Sequence, residues 1–279
     1  MIRFAHAQDY PEIRRLWERC FPDSSGFNPY FFEYVFQPGQ ALLLEQDHTL
    51  CAMLQMLPYQ LHTVAGTEQA TYIYGACTAP EARKRGYMAQ LLERSFMLDQ
   101  EAGRAASILI PQEEWLFGFY QKYGYERTFY VKDQDVAACG IAMPPAVKSR
   151  PLTCDDIPVL DELYRRATGN AGCAVLRTPM QWQRQIEMFQ ALGLGAYALH
   201  IGHEMKAYAF VWETETGAWA QELLADDAES EINLCGILCR ELDKPNMRIT
   251  KVGMQTALGC AKFYDNRPVT QGYINLMFN

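Results

Sequence analysis

The chain has 279 residues, room for one large domain or two ordinary ones, and 49% of them are hydrophobic, enough for a core in each half. Its formal charge is -8, with no basic run beyond one short turn. That argues against nucleic acid or an anionic membrane as partner and fits a cationic acceptor such as an amine, although solubility alone explains the same sign.

Met1 to His6 reads directly as a strand, with no secretory leader and no membrane span. Asp9 and Glu12 have capping-box spacing ahead of an amphipathic helix. An aromatic segment follows, with Phe21, Phe27, Tyr30, Phe31, Phe32, Tyr34 and Phe36. Most of these rings are expected in the core, and some along an acceptor wall suited to an amine on an apolar body. A strand-like run, Tyr72 to Cys77, leads through Thr78 into Arg83-Lys84-Arg85-Gly86 and then a helix-like run, Ala89 to Leu98. A basic turn with a glycine at a helix start is a phosphate site. The first helical N–H groups lack partners, the dipole favours negative charge, and glycine brings no Cβ into the way. The strand Ala105 to Ile110 comes next, followed by Glu113, Glu114 and the aromatic run Phe117 to Tyr125.

Beyond residue 142 the chain repeats itself. Arg3, Asp9, Pro11, Ile13, Leu16, Trp17 and Arg19 align with Arg150, Asp156, Pro158, Leu160, Leu163, Tyr164 and Arg166, each pair 147 positions apart. With small changes of offset, Pro29 to Phe32 parallels Pro179 to Trp182, Cys51 to Gln55 parallels Ala207 to Val211, and Tyr72 to Cys77 parallels Trp219 to Leu224. Phe119-Tyr120 finds an echo in Phe263-Tyr264. Such self-similarity predicts duplicated domains: 1–142, a proline-punctuated linker 143–151, and 152–279. In the second copy Asp226 to Glu231 stands where the basic turn stood, and its carboxylates would repel a phosphate. Gly193-Leu-Gly195-Ala-Tyr-Ala198 spells a dinucleotide fingerprint but follows a helix and precedes a strand, the reverse of what that site needs, and reads as a helix C-cap. Nine irregularly spaced cysteines fit free thiols in a reducing, cytoplasmic compartment. No metal site is expected, because Cys235 with Cys239, or His200 with His203, do not make a closed ligand set.

Arg83-Lys-Arg-Gly86-Tyr-Met88 resembles the Q/R-x-x-G-x-G/A pyrophosphate loop of the GNAT (Gcn5-related N-acetyltransferase) superfamily, with Met88 departing from the usual Gly or Ala. Phe119-Tyr-Gln-Lys-Tyr-Gly124-Tyr125 is similar to the family's later FYxKxGF segment, in the right order and at a suitable distance. The resemblance implies a GNAT fold: α/β (α+β), with a mixed, mostly antiparallel central sheet flanked by helices, here duplicated with a degenerate second copy. It implies an acetyl-CoA-dependent N-acetyltransferase acting by direct transfer on a small-molecule or protein amine. Cofactor contacts would come from Ala76, Cys77 and Thr78 beside the pantetheine arm and from Arg83, Lys84, Arg85, Gly86, Tyr87 and Met88 around the pyrophosphate. Tyr120 takes the position of the acid that protonates the leaving thiolate. Glu113, with Glu114 beside it, is the candidate base. The tandem arrangement is similar to Eis-like acetyltransferases, some of which use a terminal carboxylate as base. The chain ends at Asn279, with no room expected for their sterol-carrier-like domain, so that base is not carried over. A non-catalytic acyl-CoA binder or interaction module is the alternative, and a catalyst with another acyl donor or an oxygen acceptor is a third reading. Oligomeric state is not legible.

Overall fold

The computed structural model describes residues 1–23, 25–137, 147–265, 267 and 271–276. They form two compact units, and the units interleave along the chain. Unit 1 is Met1–Thr128 with Gly259–Thr270, and unit 2 is Phe129–Leu258 with Gln271–Asn279.

Unit 1 begins with strand β1 (Ile2–Phe4) and helix α1 (Tyr10–Cys20). Proline at the first turn starts α1, and Ile13, Leu16 and Trp17 at helical spacing give it one buried face. The aromatic segment forms α2 (Phe27–Tyr30) and one π-turn, Phe31–Val35. Then come β2 (Ala41–Gln46), β3 (Thr49–Thr63), β4 (Gly66–Thr78), α3 (Tyr87–Glu101), β5 (Ala106–Leu109) and α4 (Glu114–Gln121). Strand β3 is buried almost throughout, because α1 and α3 both pack on it.

The second half of the chain runs β6 (Glu126–Ala137), β7 (Val147–Pro151), α5 (Ile157–Thr168), β8 (Cys173–Leu176), α6 (Pro179–Ala191), β9 (Gly195–Ile201), β10 (Glu204–Glu213), β11 (Ala218–Ala225), α7 (Ala228–Glu241), β12 (Asn246–Val252), β13 (Thr256–Phe263) and β14 (Gly272–Tyr273). Of the expected linker, 143–146 lie outside the described residues and Val147–Pro151 is a strand paired with β9. Unit 1 has the strand order β1-β2-β3-β4-β5-β13, and unit 2 has β6-β12-β11-β10-β9-β7. Along each of these orders the pairing is antiparallel except for one central parallel pair, β4 with β5 and β11 with β12, and off the path of unit 2 β14 pairs parallel with β8.

The repeat is visible at atomic level. Arg3 Nη1 donates to Asp9 at 2.6 Å, and Arg150 Nη2 donates to Asp156 at 2.6 Å. Asp9 does not cap α1 with Glu12. A 3-10 turn, Ala7–Asp9, precedes the helix, so the carboxylate turns back to accept the His6 N–H at 2.7 Å, as Asp156 accepts the Thr153 N–H at 2.8 Å. The Arg3 guanidinium holds the Asp9 carboxyl at about 2, below its ordinary 3.8. A depressed carboxylate contributes stability that is complete above its unfolded value and disappears as pH falls through the folded one. The stability gap between wild type and Asp9→Asn should therefore be constant above pH 4 and close between about pH 4 and pH 2, read from urea midpoints at each pH.

One echo fails. Phe119 and Tyr120 lie on α4, whereas Phe263 ends β13 and Tyr264 lies just past it. The Tyr264 hydroxyl donates to buried Asp99 of α3 at 2.8 Å, a structural bond within unit 1. Gly193, at φ +69, follows α6 as the C-cap turn expected of it.

Candidate acyl-transfer site

The site begins where two parallel strands part. β4 and β5 pair only over Ala70↔Ala106, Thr71↔Ser107 and Tyr72↔Ile108, so the β5-facing edge of β4 from Ile73 to Thr78 is left without a β5 partner. The opposite edge of β4 carries a bulge: Met53 pairs with Cys77 but Gln55 pairs with Tyr74, leaving one extra residue at Gly75-Ala76. Gly75 has φ +56, and the Trp17 ring packs against the place its Cβ would take. Trp17 is held in turn by its indole N–H donating to Asn28 at 2.7 Å.

Neither Gly75 nor Trp17 was singled out from the sequence for this role, although a glycine inside a strand pattern signals a bulge or a close backbone approach. A Cβ on residue 75 would lie 2.1 Å from Trp17 Cζ3 in a left-handed backbone. Gly75→Ala should thus cost about 2–3 kcal/mol, measurable as a fall in the urea midpoint.

The basic turn connects this strand to α3. Lys84 at φ +64 and Gly86 at φ +76 curl the backbone tightly before the first helical residue. Gly86 is the N-cap, no side chain caps this end, and the first turn has no acidic residue. Arg83, Lys84, Arg85 and Gly86 are exposed, and a Cβ on Gly86 would meet only open space. Arg83 Nε donates to the Thr78 carbonyl at 3.3 Å, drawing the turn back onto the end of β4. Among the described residues Lys84 and Arg85 have no ion-pair partner, so their charge is uncompensated. Tyr87 and Met88 open the helix and are half-buried, as are Ala76 and Thr78, while Cys77 is buried. The structure therefore brings all nine proposed cofactor residues onto one strand end, one turn and one helix start.

Tyr120 lies on the buried face of α4, edge-on to Tyr125 at 5.7 Å and to Phe119 at 5.2 Å. Burial pushes its hydroxyl above the ordinary phenol range, and Cys260 adds to the effect. Among the described residues that hydroxyl has no hydrogen-bond partner. Glu113 is the exposed N-cap residue of α4, and its carboxylate accepts the Trp115 indole N–H. Glu114 is exposed and paired with Arg127, which lowers its carboxyl below the usual range. Thus Tyr120 faces inward, while both glutamates face water.

Unit 2 has the same frame with its openings filled. β11 and β12 pair only from Ala218 to Ala220, and β11 has its own register shift opposite Phe210/Val211. Beyond that point Asn275 Nδ2 donates to the Gln221 carbonyl at 2.5 Å. Glu222 is fully buried and bound by Arg177 at 3.0 Å, the Tyr208 hydroxyl at 2.9 Å and the Tyr273 hydroxyl at 3.2 Å. Arg177 also donates to the Asn275 carbonyl, so residues 273–276, all buried, lie along this edge. At the start of α7 the Asp227 carboxylate accepts the Ser230 N–H at 2.7 Å, and Glu229 and Glu231 add negative charge. The helix end that is open in unit 1 is capped by the chain's own acid here.

Residues 1–128 match the family model for the acetyltransferase (GNAT) domain. Residues 1–128 are a GNAT domain. No curated protein matches the sequence. Among solved structures, a GCN5-related N-acetyltransferase from Anabaena variabilis is similar at TM-score 0.75 and 15% identity, covering 94% of this chain and 72% of that one. A probable N-acyltransferase from Enterococcus faecalis is similar at TM-score 0.74 and 14% identity, covering 94% and 72%. Eis1 from Mycobacterium abscessus is similar at TM-score 0.67 and 15% identity, covering 95% and 74%. At these identities the likeness is one of fold, and it covers 94% or more of the chain. Among the described residues no helix is long and apolar enough to cross a membrane, and no cluster of three or more His, Cys, Asp or Glu could hold a metal.

Proposed function

We propose that unit 1 of this GNAT acyltransferase binds acetyl-CoA and transfers its acetyl group directly to an amine, while unit 2 binds no cofactor. The observation that carries this is the pairing of an open β4 edge with an uncapped, acid-free start of α3. An extended amide-bearing arm adds to the free strand edge from Ala76 to Thr78, as another strand would. The pyrophosphate sits on the first N–H groups of α3, with Arg83, Lys84, Arg85, Gly86, Tyr87 and Met88 around it. The bulge turns a backbone N–H near Ala76 toward the thioester oxygen as oxyanion donor. The amine attacks the carbonyl carbon and the C–S bond breaks. Tyr120 delivers its proton to the departing thiolate. Burial weakens the phenol as an acid, and it also makes the thiolate a stronger base, so the two remain matched.

The base is the open position. Glu113 could draw the amine's proton only through water, since its carboxylate is exposed at the start of α4. That exposure favours the second reading, a module that binds acyl-CoA without transfer. A titration of coenzyme A by calorimetry, combined with thiol release from acetyl-CoA across a panel of amines, separates the two. Saturable binding with amine-dependent thiol release supports the transferase. Binding without release under any amine supports the module, and no binding removes both.

A further inference from the structure

One buried side chain beside the site has nothing to bond. Gln55 of β3 is 0% exposed, and neither its amide oxygen nor its amide nitrogen has a hydrogen-bond partner among the described residues. Register explains why. Gln55 pairs with Ala41 on β2 and with Tyr74 on β4, and Met53 and Leu57 precede and follow it on the same face of the sheet. Ala41, Met53 and Leu57 carry no nitrogen or oxygen in their side chains, and the Tyr74 hydroxyl does not bond the amide. Leaving a buried amide unpaired costs free energy that an apolar side chain of the same shape would not. The pair Gln55↔Tyr74 also borders the β4 bulge at Gly75-Ala76, where the thioester oxygen is proposed to sit. Rings line the same face. Tyr74 is stacked with Tyr72 at 5.8 Å, Tyr59 stands edge-on to Tyr72 at 5.7 Å, and Phe31 stands edge-on to Tyr74 at 5.4 Å.

We propose that Gln55 recognises an amide group on the acceptor, which makes the substrate class an amine that carries an amide several bonds from its nitrogen. This deepens the transferase reading and rests on it for the place of the amine. A side-chain amide offers a donor and an acceptor side by side, and a second amide satisfies both at once. A carboxylate would bond the Nε2 side and leave Oε1 facing its charge, and an ester could satisfy only the nitrogen. Gln55 lies one strand in from β4, and neighbouring strands are about 4.8 Å apart, so the acceptor's amide and its attacking nitrogen would be roughly 5–10 Å from each other. The carbons between them would run over the rings of Tyr72 and Tyr74. Phe31, beside Tyr74, is carried on the π-turn that follows α2, an irregular backbone of a kind that recurs at functional sites. The acceptor reaches the buried amide by parting these rings.

Calorimetry on the full chain, with and without coenzyme A, compares 6-aminohexanamide with methyl 6-aminohexanoate and hexylamine, which keep the amine but lack the amide N–H or the whole amide. Wild type should bind the amide at least about tenfold more tightly than either, and Gln55→Met should bind all three within about twofold of one another. Without any ligand, Gln55→Met should raise the urea midpoint, because an unpaired amide gives way to an apolar side chain of similar length. Equal affinity of wild type for the amide and the ester overturns the assignment. So does a midpoint that fails to rise, since the amide would then already be satisfied within the fold. Thiol release from acetyl-CoA is read on the same amines. Discrimination without release removes transfer and leaves the amide site, whereas release without discrimination leaves the transferase and removes the site.

Discussion

Tyr120→Phe is expected to lower kcat for acetyl transfer by about a hundredfold to ten-thousandfold while coenzyme A binds as before. The phenol hydroxyl has no hydrogen-bond partner among the described residues, so its removal breaks no bond in the fold. The ring remains edge-on to Tyr125 and Phe119. Because burial keeps the hydroxyl protonated well past neutral pH, a high-pH limb in the kcat profile comes from another group and should survive the substitution. Single-turnover thiol release against calorimetric affinity separates the two effects. Unchanged turnover would remove Tyr120 from the reaction, and lost binding with lost turnover would assign it to the fold.

Gly86→Asp should weaken coenzyme A binding at least about a hundredfold, or ~2.7 kcal/mol, and leave stability near its original value. The substitution gives unit 1 the arrangement of unit 2, where Asp227 caps α7 and accepts the Ser230 N–H. Like charges about 4 Å apart at an effective dielectric near 20 repel by about 4 kcal/mol, more than the turn's remaining cations return. For the fold the gains and losses nearly cancel. An N-cap carboxylate contributes about 1 kcal/mol, and a non-glycine residue in the left-handed region loses about the same. Gly86→Ala is the control, bearing the strain without the charge. Equal affinity of Gly86→Asp and Gly86→Ala would show that this helix end is not the anion site.

Much of this site was legible because it is local. A basic turn, a glycine and a following helix lie within a dozen residues, and the phosphate chemistry follows from helix ends alone. The internal repeat was legible because Arg3 with Asp9 and Arg150 with Asp156 are short-range pairs that recur as words in the sequence. What was hidden is long-range. The parting of β4 from β5 depends on register, and register leaves no mark in either strand. Gly75 could be seen as an odd residue in a strand, but not its contact with Trp17 of α1. The acidic stretch after β11 argued against a second phosphate site, yet nothing in it indicated that Asn275 and Arg177 lie along the neighbouring edge. Phe263-Tyr264 misled because two residues in common do not specify whether a helix or a strand carries them.

The interleaving of the units has a bearing on how the protein is made. Cys260 to Phe263 pair with the outer edge of β5, Tyr264 bonds Asp99, and Arg267 pairs with Glu68 at 2.6 Å, all within unit 1. During synthesis these residues leave the ribosome only after Phe129–Leu258 of unit 2. Until then β5 presents an unpaired edge, the kind of surface that invites mispairing between nascent chains. Unit 1, though begun first, is closed only after most of unit 2 has been made, so the timing of its maturation is set by the segment inserted into it.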